Sequence, residues 1–125
     1  IKVVPQLNNT TTIVIREKLF KYSVKHLNNV GNTIKFIAGV DTFKMCSKSV
    51  LNESEIKFNP EDYSLQGIPA ISRYSVEYLL HFIKGNSFKY LLKLSFADTY
   101  PLSIEFENNG LKVLFVLAPK VSEED

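Results

Sequence analysis

Tryptophan is absent from this chain of 125 residues, and cysteine and methionine occur once each. A lone thiol, Cys46, cannot close an internal disulfide, so a disulfide-stapled scaffold is excluded and an intracellular protein is the plain expectation. No apolar run approaches the length of a membrane span, and no signal peptide is recognisable, so no membrane partner is expected. The patterns that carry catalysis are missing as well. The two histidines, His26 and His81, read as exposed helix residues. No His-Glu-x-x-His, no Cys pair and no glycine-rich phosphate loop occurs. Cys46 lies in an alternating segment and reads as a small core residue rather than a nucleophile. Asp41, Asp62 and Asp98 sit near turns, where aspartate bonds its own backbone. Metal ligands are not clustered. No enzyme, cofactor or metal is expected, and a net charge of +2 says little about partners.

What the chain does have is apolar patterning. Apolar residues make up 45% of it, enough for one globular domain with a real core. The first residue is Ile1, which suggests a fragment or a processed chain. Thr11 to Ile15 is β-branched and reads as a strand. Glu17 to Asn29 reads as a helix with Phe20, Val24 and Leu27 on one face, and Gly31 follows where a helix ends. Thr33–Ala38 and Thr42–Cys46 alternate around a Gly39-Val40-Asp41 turn. Ser47–Ser54 reads as a polar loop, and Glu55–Phe58 as a short strand. The order then recurs: a weak strand at Tyr63 and Leu65, and Pro69 before a helix over 72–84. Val76, Leu79, Leu80 and Ile83 form the apolar face of that helix. A long strand over 88–96 follows. Leu102, Ile104 and Phe106 alternate with Ser103, Glu105 and Glu107, and Asn109-Gly110 supplies the turn into Leu111–Leu117. Helices beside antiparallel strands make an α+β domain, and neither half buries its own faces alone.

Each helix has a charged outer stripe. On the first it is Lys18, Lys21 and Lys25, beside His26. On the second it is Arg73, Glu77, His81 and Lys84. On the residues alone, a solvated helix face is the commoner reason for such stripes.

The end of the chain narrows the choice. Tyr100-Pro101-Leu102 opens one strand, and the last strand runs into Ala118-Pro119-Lys120 and the acidic Val121-Ser122-Glu123-Glu124-Asp125. Together with Leu27-Asn28-Asn29-Val30-Gly31, Pro69, Tyr78-Leu79 and Ala97-Asp98, this order resembles the C-terminal domain of the sliding clamps of the proliferating cell nuclear antigen (PCNA) family. The resemblance runs from about Thr11 to Asp125. It implies a DNA-clamp fold, two βαβββ units with both helices on one face of antiparallel sheet. The implied division is 1–10 as a remnant of the interdomain connecting loop, 11–120 as the clamp domain and 121–125 as an acidic tail.

The implied function is a nuclear, non-catalytic DNA sliding clamp, a processivity factor for DNA polymerase and a docking scaffold for replication and repair proteins. Its partners would be double-stranded DNA, a clamp loader, two further copies of the full-length subunit, and proteins carrying a motif of Gln and aromatics. Lys18, Lys21, Lys25, Arg73 and Lys84 would face DNA, through contacts to phosphate that carry no sequence preference. Val4, Leu7, Pro101, Val116, Leu117, Ala118 and Pro119 would form the partner-peptide pocket. Glu55, Ile56, Lys57 and Phe58 would form a subunit edge closing a three-membered ring. Tyr22 and Glu77 stand where many clamps carry arginine, and Val116 where tyrosine is common. The alternatives are a subunit of the related DNA-damage checkpoint clamp, or a small α+β ligand-binding domain or enzyme unrelated to DNA.

Overall fold

The computed structural model describes residues 8–85, 91–108 and 110–121. Among these described residues nine strands, two α-helices and one 3₁₀ turn follow in the order β1 (Thr11–Arg16), α1 (Glu17–Asn28), β2 (Thr33–Ala38), β3 (Phe43–Lys48), β4 (Glu53–Lys57), the 3₁₀ turn (Pro60–Asp62), β5 (Tyr63–Gly67), β6 (Ala70–Ser75), α2 (Val76–Gly85), β7 (Leu91–Phe96), β8 (Leu102–Asn108) and β9 (Leu111–Leu117). The strands form two antiparallel sheets, β5-β1-β7-β8-β9 and β4-β3-β2-β6. The strand that leads into each helix pairs with the strands that follow the other helix: β1 with β7, β6 with β2. The two halves are therefore interlocked.

Helix α1 forms where the apolar spacing places it. Phe20, Val24 and Leu27 are buried, and Glu17 in its first turn sits where the helix dipole favours a carboxylate. Val76, Leu79 and Ile83 of α2 are buried too, and the two helices pack against each other. Phe36 on β2 is the hub of the core. Its ring meets those of Phe20, Phe43, Tyr74 and Phe96 at centroid distances of 6.5, 6.0, 5.1 and 5.8 Å, all edge to face. Quadrupoles favour that geometry, which adds to the area each ring buries. Gly31 has a different reason from helix termination. A Cβ there would lie 2.5 Å from the Lys48 carbonyl oxygen, so only glycine lets the chain pass β3. Gly110, at φ 80°, provides the left-handed residue of the β8–β9 turn.

Four expectations need correction. Residues 72–75 are not helical: they belong to β6, which pairs with β2 from Ala70↔Ala38 to Ser75↔Thr33. Pro69 thus precedes a strand, and α2 starts at Val76. Residues 47–54 are mostly paired strand, with β3 and β4 in register from Lys48↔Glu53 onward. Cys46 is half-buried on the outer face of β3, while Phe43, Met45 and Ser47 point inward. The part of the expected long strand before residue 91 lies outside the described residues.

Candidate nucleic-acid and partner surfaces

On α1, Lys18 and Lys25 are exposed and Lys21 is half-buried. Lys21 Nζ lies 3.4 Å from a carboxylate oxygen of Glu17, one turn back. That pair tethers the lysine along its own helix, so Lys18 and Lys25 are the members fully open to a phosphate. Tyr22, 64% exposed, stacks on His26 with ring centroids 6.1 Å apart. His26 Nε2 is 3.3 Å from Ser54 Oγ.

On α2, Lys84 is exposed and lines an open groove with Asn28, Asn32, Glu77, His81 and Lys120. Asn28 is the last residue of α1, so the groove sets Lys84 beside the end of α1 that carries Lys25. Lys120 joins this surface although no local pattern marks it, because it follows the last strand and only the fold brings it there. Arg73 is a correction. It lies on β6, on the face opposite the core residue Tyr74, and lines a pocket on the outer face of its sheet. It does not join the lysines on the helices.

The residues proposed for partner docking converge at the β8–β9 strand pair. Leu102 is opposite Leu117 and Ser103 opposite Val116, so the register brings Pro101 level with Ala118. Leu117 is buried, Ala118 and Val116 are exposed, and Pro101 and Pro119 are half-buried. The start of the chain passes the same place. The Asn8 backbone N–H donates to the Tyr100 hydroxyl at 3.1 Å, and Asn9 Nδ2 to Ser103 Oγ at 3.4 Å. Val4 and Leu7 lie outside the described residues.

β4, which carries the residues expected at a subunit contact, lies at the edge of its sheet, and Phe58 just past its end is buried. Among the described residues β4 pairs only with β3. The Phe58 N–H donates to the Phe43 carbonyl, and Ser49 to Asn52. In an antiparallel ladder this places Met45↔Ile56 and Ser47↔Ser54 as the bonded pairs. Glu53, Glu55 and Lys57 therefore turn their backbone groups outward. Glu55 also pairs with Lys44 at 3.0 Å, which raises the lysine's pKa, first through that hydrogen bond and then through the carboxylate's charge. Phe58 is not available to a neighbour: it is buried and stacks on Phe43 at 5.2 Å.

The other edge of that sheet is closed by the chain itself. The Ile71 N–H donates to Asp98 Oδ1 at 2.7 Å, Thr99 N–H to the Ile71 carbonyl at 3.1 Å, and Lys120 N–H to the Arg73 carbonyl at 2.8 Å. Below them, the Tyr74 hydroxyl donates to the Tyr100 carbonyl at 2.6 Å. Burial pushes that phenol's pKa far above its ordinary value.

No family model matches the chain. In sequence it is 36% identical to a DNA polymerase sliding clamp of Thermoplasma acidophilum, over 97% of this chain and 53% of that protein. The match to the sliding clamp of Thermococcus gammatolerans is 32%, over 95% of this chain and 50% of that one. In fold it is similar to a chain of the structure of the C-terminal region of FEN-1 bound to A. fulgidus PCNA. The TM-score there is 0.88 at 25% identity, covering 98% of this chain and 51% of that one. PCNA from Thermococcus kodakaraensis superposes with a TM-score of 0.86 at 22% identity, covering 95% of this chain and 51% of that one. The chain spans about half the length of the curated relatives it matches.

Proposed function

We propose that this chain, a homologue of the DNA polymerase sliding clamps over nearly its whole length and built on their α+β fold, is the C-terminal-type half of a clamp subunit. The observation that carries the reading is the match over 97% of the chain to a protein about twice as long. Its role is to hold and dock rather than to catalyse. It encircles double-stranded DNA, keeps a polymerase on its template, and receives replication and repair proteins through a Gln-and-aromatic motif. A clamp loader opens and closes the ring. The compartment is wherever the DNA is, which is the nucleus in a cell that has one.

The surfaces support this reading with different strengths. The Lys18–Lys25 stripe with Lys84 supplies point charges without a base-reading geometry, as a sliding contact requires. The Pro101–Ala118 strip, crossed by Asn8 and Asn9, is where an extended peptide could add to the sheet and seat aromatics against Leu117 and Pro119. Val116 narrows that wall compared with a tyrosine, so partner peptides bind more weakly than is usual for the family. The outward backbone groups of Glu53, Glu55 and Lys57 offer a ladder to a neighbouring subunit in a three-membered ring. At the far end, Leu111, Leu114 and Val116 on β9 are exposed, which suits a strand covered by the rest of a longer subunit.

The test uses the full-length subunit on closed circular DNA. Lys25→Ala/Lys84→Ala should reduce the slope of log affinity against log salt by about 2, at about 0.9 per phosphate contact. An unchanged slope would remove these lysines from the DNA surface.

A further inference from the structure

Among the described residues no tyrosine or phenylalanine is more exposed than Tyr22, at 64%. One apolar ring on a surface means little by itself, but this ring is held and flanked. It stacks on His26, one turn later on α1, with the ring planes 16° apart. His26 Nε2 is in turn 3.3 Å from Ser54 Oγ on β4, so the stacked pair is tied to the sheet. Lys18 stands four residues before Tyr22 and Lys25 three after, and both are exposed. The three side chains share one helix stripe, about 10 Å long at 1.5 Å per residue.

Carboxylates are kept off this stripe. Glu17, the one acid of α1, is buried and turned to Lys21. On β4, Glu53 and Glu55 alternate with Ser54, so they leave the sheet on the face away from His26. An aromatic face between two ammonium groups matches the chemistry of a nucleotide in a single strand, a flat base with phosphates on either side. In a duplex the bases are stacked and paired, and only phosphates would meet such a stripe. We infer that Tyr22, seated on His26 between Lys18 and Lys25, stacks an unpaired base of single-stranded DNA while the two lysines hold its flanking phosphates. The inference rests on the reading that this helix face meets DNA, and adds to it a preference for strand that is not paired. On a clamp, such a seat would be used where duplex gives way to single strand.

The 125-residue chain is titrated by NMR with an oligo-dA strand of about ten nucleotides, an abasic strand of the same length and charge, and a duplex of that length. The ring protons of Tyr22 and His26 should move upfield with oligo-dA alone, because only an unpaired base lays its ring current on them. The amides of Lys18 and Lys25 should shift with all three. Tyr22→Leu keeps an apolar side chain and should weaken oligo-dA binding about fivefold or more, the low end for one base stacked on an aromatic, while leaving the abasic strand unchanged. Lysine shifts with every ligand beside an unmoved Tyr22 ring would overturn the base seat and leave the DNA-facing reading intact. No shift at either lysine with any of the three would overturn both. Equal Tyr22 shifts with an acidic peptide carrying phenylalanines would also overturn it, by making the seat a peptide site.

Discussion

The second sheet has two edges that differ in one respect. On β6 the outward backbone groups of Ile71 and the carbonyl of Arg73 are taken by Asp98, Thr99 and Lys120 of the same chain. On β4 the outward groups of Glu53, Glu55 and Lys57 have no partner among the described residues. An unpaired edge invites other strands, and proteins blunt it unless pairing is its use. Here one edge is sealed by the segments at Asp98–Thr99 and Lys120, while the outward groups of the other belong to the alternating charges Glu53, Glu55 and Lys57. The sealed edge contributes local stability, and the open one is the edge that the proposed ring would use.

The largest effect should come from beneath the sealed edge. Tyr74→Ala removes a buried ring packed on Phe36 together with the hydroxyl held by Tyr100, and should cost about 3–5 kcal/mol in urea unfolding. A loss below 1 kcal/mol would mean that the seal does not rest on this residue. Asp98→Ala leaves the Ile71 N–H without its acceptor. It should cost about 1.5 kcal/mol, the low end for a charged hydrogen bond at an exposed site, and speed hydrogen exchange at Ile71.

Tyr74→Phe is milder, about 1 kcal/mol at neutral pH, and its pH dependence sharpens the point. Burial raises the phenol's pKa in the fold above its ordinary value of 10.0. The protonated form is thus favoured by folding, and the contribution is complete below pH 10. It is lost as pH rises from there toward the folded pKa. Tyr74→Phe should therefore flatten the alkaline fall in stability above pH 10, and an unchanged alkaline limb would count against the buried phenol. At the open edge, Lys57→Pro removes an N–H that points away from β3. It should cost this chain less than about 1 kcal/mol, since proline is tolerated on edge strands. In the full-length subunit it should nonetheless weaken ring formation, seen as a lower mass in light scattering. A proline that unfolds the short chain would place the Lys57 N–H in the ladder instead.

How much of this the sequence disclosed depended on period and distance. Phe20, Val24 and Leu27 repeat at helical spacing, and Ile34, Phe36 and Ala38 alternate, so α1 and β2 were legible at once. β6 was not. Its inward residues are Ala70, Ser72 and Tyr74, two of them small or hydroxylic, and Pro69 before them imitates a helix start. With residues 72–75 in a strand, Arg73 lies on the sheet and not on a helix face. The burial of Phe58 is not legible locally, because an apolar residue one step past an edge strand can point either way, and only Phe43 beneath it decides. Lys25 and Lys84 are legible from helical spacing, and both are exposed on their helices. Lys120 was invisible because its bond to β6 joins residues far apart in the chain.

The exchange of strands between the two halves bears on how the chain comes into being. Thr11 pairs with Phe96, 85 positions later, so during synthesis β1 waits for β7 well after its other neighbour, β5, has been made. Contacts so distant in sequence make folding slow compared with a helical bundle of the same size. They also make it hard to undo by a single break. A protease that nicked the exposed link around Ile68 would leave each piece holding a strand of the other's sheet. The two pieces would elute together as one particle until a denaturant pulled them apart.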